Sequence, residues 1–262
     1  MCNKINITPK LTIEGEDRTL GAVLLGAPYS RKRESVMLPM IQQDIQSKPM
    51  MGVAVFDTDG IPTQAAARCA RESGRPYVLL DPRMEWCPFF NPLIGDENEV
   101  FEDLRTVVSE YLPDLSPSLR ALNESLLSNA IKVLKRLDKA EGVNGRYATF
   151  INMNTVLQNP SQDGRKLVIR FGQLKGETDA EQKENSDIAS WFINEYYAER
   201  SKPFEQTACL RLLLGKLISE PHLRTVLNPD FDKGQVSEVD FDRLVSDNCI
   251  ICVSAAKPTL GS

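Results

Sequence analysis

The pattern of apolar and polar positions changes character along the chain. In the first part, short apolar runs at Ala22 to Leu25, Gly52 to Phe56 and Tyr77 to Leu80 show no polar alternation. Such runs are the mark of strands covered on both faces, as in a parallel sheet. Helical patterns lie between them. Glu34 to Gln46 places Val36, Met37, Met40, Ile41 and Ile45 on one stripe, with Pro39 either kinking the helix or sitting early enough to be tolerated. Pro62 suits a first helical turn, Gln64 to Arg71 is alanine-rich, and Gly74 marks a stop. The expected order is β-α-β-α-β.

After Asp81-Pro82 the stretch Trp86 to Leu93 carries too much proline for a regular element, yet is apolar enough to pack as an ordered loop. From Glu97 the period becomes helical. Val100, Phe101, Leu104, Val107, Val108 and Tyr111 form one stripe, and a second runs through Leu119, Leu122, Leu126, Leu127, Ala130, Val133, Leu134 and Leu137. Lys132, Lys135, Arg136 and Lys139 lie opposite or beside the second stripe, the usual look of a solvated helix face. Further helices are expected at Asn185 to Arg200 and Thr207 to Ser219, a short strand at Leu167 to Phe171, and a mobile polar loop around Gly176 to Glu184. Following Asp240 to Val245, the run Cys249 to Val253 reads as one more core strand returning to the sheet. The expected organisation is therefore an α/β domain (1–96 and 236–262) interrupted by a mostly helical insertion (97–235). A sheet that ends on a fresh strand, with Ala256 to Ser262 directly after it, leads to the expectation that the chain is a fragment.

Composition narrows the classes. At 262 residues, 29.3 kDa and 42% hydrophobic residues, the chain can bury the core of one large or two small domains. A net charge of −5 argues against a surface devoted to nucleic acid, so any DNA contact must be local. Six scattered cysteines and a single histidine, His222, resemble neither a disulfide framework nor a zinc site, and exclude a His-based triad chemistry elsewhere in the chain. Cys249 and Cys252 are read as buried structural thiols. No apolar run approaches the roughly 20 residues of a membrane helix, and the N-terminus has no signal-like core, so a cytoplasmic location is expected, with attachment at the inner face of a membrane left to missing segments or partners.

The candidate chemistry lies at Gly26 to Arg33. A phosphate-cradling loop, G-x-x-x-x-G-K-[ST], needs its second glycine for close backbone approach and its hydroxyl for magnesium. Gly26 and Lys32 fall in place, but Arg31 stands at the glycine and Arg33 at the hydroxyl. Three cations opening a helix run against its dipole, a conflict that an anionic partner would resolve. Gly26, Ser30, Arg31, Lys32, Arg33 and, at a strand's carboxyl end, Asp57 are the candidate nucleotide-binding residues, with Asp81 at the same edge.

These residues also carry a resemblance. Gly26-Ala27-Pro28-Tyr29-Ser30-Arg31-Lys32-Arg33, the strand Val53 to Asp57 with Thr58-Asp59-Gly60, then Tyr77 to Pro82 and Phe90-Asn91-Pro92-Leu93, resemble in their order the nucleotide-binding domain of type IV secretion coupling proteins, conjugative DNA-transfer ATPases related to the FtsK and HerA motors. The resemblance implies a P-loop NTPase-like α/β fold with a parallel sheet and an inserted all-α domain opened by Asn91-Pro92-Leu93. It implies ATP and magnesium as cofactors, DNA-processing or secretion-substrate proteins as partners of the insertion, DNA in the full assembly, and a ring of subunits. Arg31, Arg33, and Asp59 at the family's lysine depart from its pattern, and the acidic magnesium-activating strand would fall beyond Ser262, so weak or absent ATP binding and no turnover are expected of this chain alone. Two other readings stand beside it. Val53 to Gly60 also resembles the first motif of haloacid-dehalogenase-like phosphohydrolases, with Asp57 as nucleophile, Asp59 as acid and base, and Ser254 as second motif. The third reading is a non-enzymatic docking module presented by the helical insertion.

Overall fold

Of the four apolar runs read as core strands, three form a parallel sheet and one does not. The computed structural model describes residues 4–13, 17, 21–48, 50–158 and 162–255, so the expectation built on Ala256 to Ser262 lies outside the described residues. The chain divides into two units, Met1–Pro88 with Val239–Ser262, and Phe89–Glu238.

The first unit opens with an antiparallel hairpin, β1 (Ile5–Thr8) and β2 (Leu11–Ile13), which the sequence reading did not include. A π-helical turn over Arg33–Met37 then leads into α1 (Leu38–Ile45). Pro39 is the second residue of α1 and directly follows the π-helical turn, in which Leu38 N donates to Arg33 O, so the irregular, widened turn coincides with the place where proline removes a donor from a continuous helix. Next come β3 (Val53–Asp57), α2 (Ile61–Glu72) and β4 (Tyr77–Leu80). After the second unit the chain returns through α11 (Phe241–Ser246) to β5 (Ile250–Ser254). β5 pairs in parallel with both β3 and β4, giving the order β3-β5-β4 with Val53, Ile250 and Tyr77 in register. One face of the sheet presents Val55, Leu79, Ile250 and Cys252 to Ala66, Ala67 and Ala70 of α2 and Ile45 of α1. The alanines let α2 lie close against the strands. Because strand side chains alternate, Phe56 points the other way and is 70% exposed.

Ala22 to Leu25 is not part of this sheet. It has no regular structure and is exposed, Val23 at 84% and Leu25 at 86%. Four apolar residues meet the requirement for a core strand in hydrophobicity alone; β5 takes the central position beside β3 instead.

Arg75 ties the opposite, amino-terminal edge of the sheet together. The α2 helix ends in a Schellman arrangement: Gly74 at φ +64° donates to Arg71 O, and Arg75 N donates to Ala70 O. That turn delivers the Arg75 side chain inward, where its guanidinium donates to the carbonyls of Ile45, Met51 and Asn248 at 2.7, 2.7 and 2.8 Å. One residue thus joins the end of α1, the approach to β3 and the approach to β5. Arg75 is 7% exposed, and among the described residues its Nε has no hydrogen-bond partner.

The second unit is helical. Its elements are α3 (Glu97–Tyr111), α4 (Pro117–Glu141), α5 (Phe150–Leu157), α6 (Gln162–Gly172), α7 (Asp179–Trp191) continuing into a π-helical turn at Phe192–Tyr196, α8 (Lys202–Gln206), α9 (Ala208–Ser219) and α10 (Pro221–Leu227). Ser116 caps α4 by accepting from Leu119 N, and the helix stops at Gly142, φ +64°. Leu126, Leu127, Ala130, Ile131, Val133, Leu134 and Leu137 are all buried, so α4 is the central helix of the unit's core. Leu167 to Phe171, expected as a strand, lies inside α6. Val168 and Phe171, three apart, are buried while Ile169 is exposed, the spacing of a helix face. The supposed mobile loop at Gly176 to Glu184 contains the start of α7, capped by Thr178 accepting from Glu181 N. The cations of α4 are not a free solvated face either. Lys132 pairs with Glu184, Arg136 with Glu97 and Glu184, and Lys139 with Glu177.

The unit's two ends are clasped. Glu238 N donates to Phe89 O, Phe89 N donates to the Glu238 carboxylate, and Asn91 N donates to Ser237 Oγ. Asn91 is buried, bonding Ala148 O through Nδ2 and receiving Leu93 N at Oδ1. No helix among the described residues is long and apolar enough to cross a membrane.

Candidate functional site

The loop that precedes α1 is built by local bonds. Ser30 N donates to Ala27 O, and Tyr29 and Arg31 both adopt left-handed backbone, φ +64° and +54°. These side chains pay for that conformation in strain. Lys32 does not extend into solvent: its ammonium folds back onto the carbonyls of Gly26, at 3.0 Å, and Ala27, at 3.4 Å. Arg33 pairs with Asp59 at 2.6 Å. The loop residues Gly26, Ser30 and Arg31 are exposed. The structure therefore brings Gly26 and Lys32 together, joins Arg33 to the turn after β3, and leaves Arg31 facing solvent.

Asp57, the last residue of β3, sits in a different environment. Its two carboxylate oxygens receive Gly60 N at 2.6 Å, Thr63 N at 2.9 Å, Thr63 Oγ1 at 2.9 Å and Ser254 Oγ at 3.3 Å. Partial burial works to raise its pKa, but these donors, led by the Thr63 and Gly60 amides, hold it below the usual carboxylate range. The carboxylate occupies the amino end of α2, where exposed amides and the helix dipole favour an anion. The chain supplies its own anion there.

Asp81 follows β4 at the same carboxyl edge and is buried. Arg83 grips it in a fork, Nε to Oδ1 at 2.8 Å and Nη2 to Oδ2 at 2.6 Å. The hydrogen bond from Arg83 is the main reason that the Asp81 pKa is depressed. Gly60 makes the approach of Arg83 possible. It has φ +85°, and a Cβ there would lie 2.3 Å from Arg83 Nη2. Asp57 and Asp81 were legible as strand-end carboxylates. Gly60, Thr63 and Arg83 were missed, although the D-x-x-G-x-x-T spacing of Asp57, Gly60 and Thr63 is the signal of a carboxylate reaching into the helix that follows it.

Charge suits the basic loop to a phosphate group. The same loop does not fit magnesium, because a guanidinium stands where a metal-holding hydroxyl is required. Among the described residues no three His, Cys, Asp or Glu side chains are arranged to hold a metal ion. Cys252 is fully buried, and burial and then the Asp57 charge push its thiol up to about 12. His222 is exposed at the start of α10. No known protein family matches the chain, and no curated protein matches it in sequence.

Proposed function

We propose that the first unit is the nucleotide-binding-domain portion of a conjugative DNA-transfer coupling ATPase, with weak or absent ATP binding and no turnover in this chain alone. The Arg33–Asp59 ion pair carries the reading, since it holds the basic loop at the carboxyl edge of the parallel sheet. Open α/β sheets take their ligands at that edge. Asp57, Asp81 and Ser254 gather there from three strands. ATP is the proposed ligand. Lys32 and Arg31 supply charge to it, but Arg31 puts a bulky side chain where backbone amides need to approach a phosphate. The helical unit is proposed to receive DNA-processing or secretion-substrate proteins, with DNA and further copies of the chain in the full assembly.

Calorimetric titration with ATP and magnesium tests this. Weak or undetectable binding is expected for the unmodified chain, with a gain in affinity for Arg31→Gly combined with Arg33→Ser and hydrolysis still low. Tight binding by the unmodified chain, abolished by Lys32→Ala, would show that the loop works without its glycine.

One observation favours the phosphohydrolase reading: Ser254 Oγ lies 3.3 Å from Asp57. Against it, Asp57 is committed to α2 and Ser254, and Asp59 to Arg33 and Ile61 N. Magnesium-dependent hydrolysis of a phosphate ester, lost in Asp57→Asn, would reverse the preference.

A further inference from the structure

The apolar stripe of α3 is covered along only part of its width. Val100 and Leu104 are buried, and Phe101 and Val108 pack against the core of the helical unit. Val107 and Tyr111 belong to the same stripe in sequence but not in packing, being 46% and 68% exposed. They stand four residues apart, so their side chains are neighbours on the helix surface.

One and two turns earlier on that ridge lie Asp103 and Glu99, and Glu110 flanks it; all three are exposed. Between Asp96 and Asp114 the chain carries seven carboxylates and a single cation, Arg105. Arg105 is taken by Glu102. Among the described residues Glu99, Asp103 and Glu110 have no ion-pair partner. The helix dipole accounts for Glu99, in the first turn. It does not account for Glu110 in the last turn, where the dipole favours a cation and no basic residue is present. This side of α3 therefore lacks apolar cover for Val107 and Tyr111 and positive charge for the carboxylates around them.

We propose that this side of α3 is a docking surface whose partner is a basic amphipathic helix of another protein. Apolar side chains repeating every three or four residues would cover Val107 and Tyr111, and flanking lysines or arginines would pair with Glu99, Asp103 and Glu110. A cation that reaches Glu110 also relieves the unfavourable end of the dipole. Nucleic acid and anionic membrane surfaces carry the wrong charge for this face. The inference rests on the reading of the helical unit as a docking module; it stands whether or not the first unit binds ATP.

The test uses the full chain and three labelled peptides of equal length, read by fluorescence anisotropy. One is built of leucine and lysine with the leucines at helical spacing, the second has glutamate for every lysine, and the third has the first peptide's residues in an order without an apolar face. Only the first is expected to bind tightly, and more weakly as salt rises. Val107→Ser combined with Tyr111→Ser should cost it about tenfold in affinity. Asp103→Asn combined with Glu110→Gln should cost about threefold. Asp187→Asn with Glu195→Gln, which removes the same charge from exposed positions elsewhere in the unit, should change nothing. Failure of the first peptide to bind, equal binding of the first and third, or equal losses in the control and α3 variants would overturn the proposal. Selective binding that ignores every α3 variant would overturn it while keeping the unit as a docking module. Self-association of the unmodified chain, weakened by the Val107 and Tyr111 substitutions, would assign the face to a second copy instead.

Discussion

Replacing Arg75 by methionine should destabilise the first unit by about 2–5 kcal/mol. Methionine keeps much of the length and apolar stem of arginine but removes every donor. Three carbonyls then lose their partner: Ile45 O, Met51 O and Asn248 O. A buried acceptor left unsatisfied costs about 1–3 kcal/mol. Ile45 is fully buried, so its carbonyl bears the full cost, whereas Met51 is half-buried and Asn248 exposed, where water can replace part of the loss. An opposing contribution comes from the guanidinium itself, which pairs with no carboxylate among the described residues and whose desolvation cost disappears on its removal. The range reflects that opposition. Because the helical unit can mask a change in the other, the measurement is urea-dependent hydrogen exchange of peptides covering β5, with Arg75→Lys as an intermediate case able to reach fewer carbonyls. If Arg75→Met matches or exceeds the wild type in stability, the carbonyls are satisfied without the arginine and the reasoning fails.

Two more predictions follow from the strand-end network. Gly60→Ala should cost about 1–2 kcal/mol from left-handed strain alone, before Arg83 moves aside, and equal chemical stability of variant and wild type would contradict it. The pKa values of Asp57 and Asp81 are both lowered from 3.8 in the fold, so the stability they contribute is present above that value and is lost as pH falls through the folded values. The denaturation midpoint of the first unit should therefore fall in acid below about pH 4, less steeply in Asp81→Asn, and a flat profile would refute the linkage.

The sequence was most readable where hydrophobic period and element boundaries agreed. Pro62 and Gly74 bracket α2 in both descriptions, and Gly52 to Phe56, Tyr77 to Leu80 and Cys249 to Val253 overlap β3, β4 and β5. It was least readable where apolar residues are few. Ala22 to Leu25 and Leu167 to Phe171 both look like short strands, yet one is exposed and irregular and the other is the inner face of α6. A run of four or five residues contains too few repeats to separate the two periods. The hairpin of β1 and β2 had a signal, two short β-prone runs around Pro9-Lys10. At the candidate site, strand-end position identified Asp57 and Asp81. That Asp57 is consumed by α2 depends on Gly60 turning the chain back on itself, a backbone property that residue type only suggests. The cations of α4 were visible as a stripe, but their carboxylate partners Glu97, Glu177 and Glu184 are distant in sequence.

The clasp between Phe89 and Glu238 bears on how the protein is made. β3 and β4 do not pair with each other, and the strand that joins them emerges only after the whole helical unit; even Arg75 waits for Asn248, 173 positions later. An unfolded connection of that length would cost about 3 kcal/mol more to close than a tight turn. Once the helical unit has folded and drawn its own ends together, the connection behaves kinetically as a short one. The helical unit is also the first of the two to have all of its residues synthesised. Assembly of the sheet is thereby a late event in chain synthesis, and β3 remains without its partner until then.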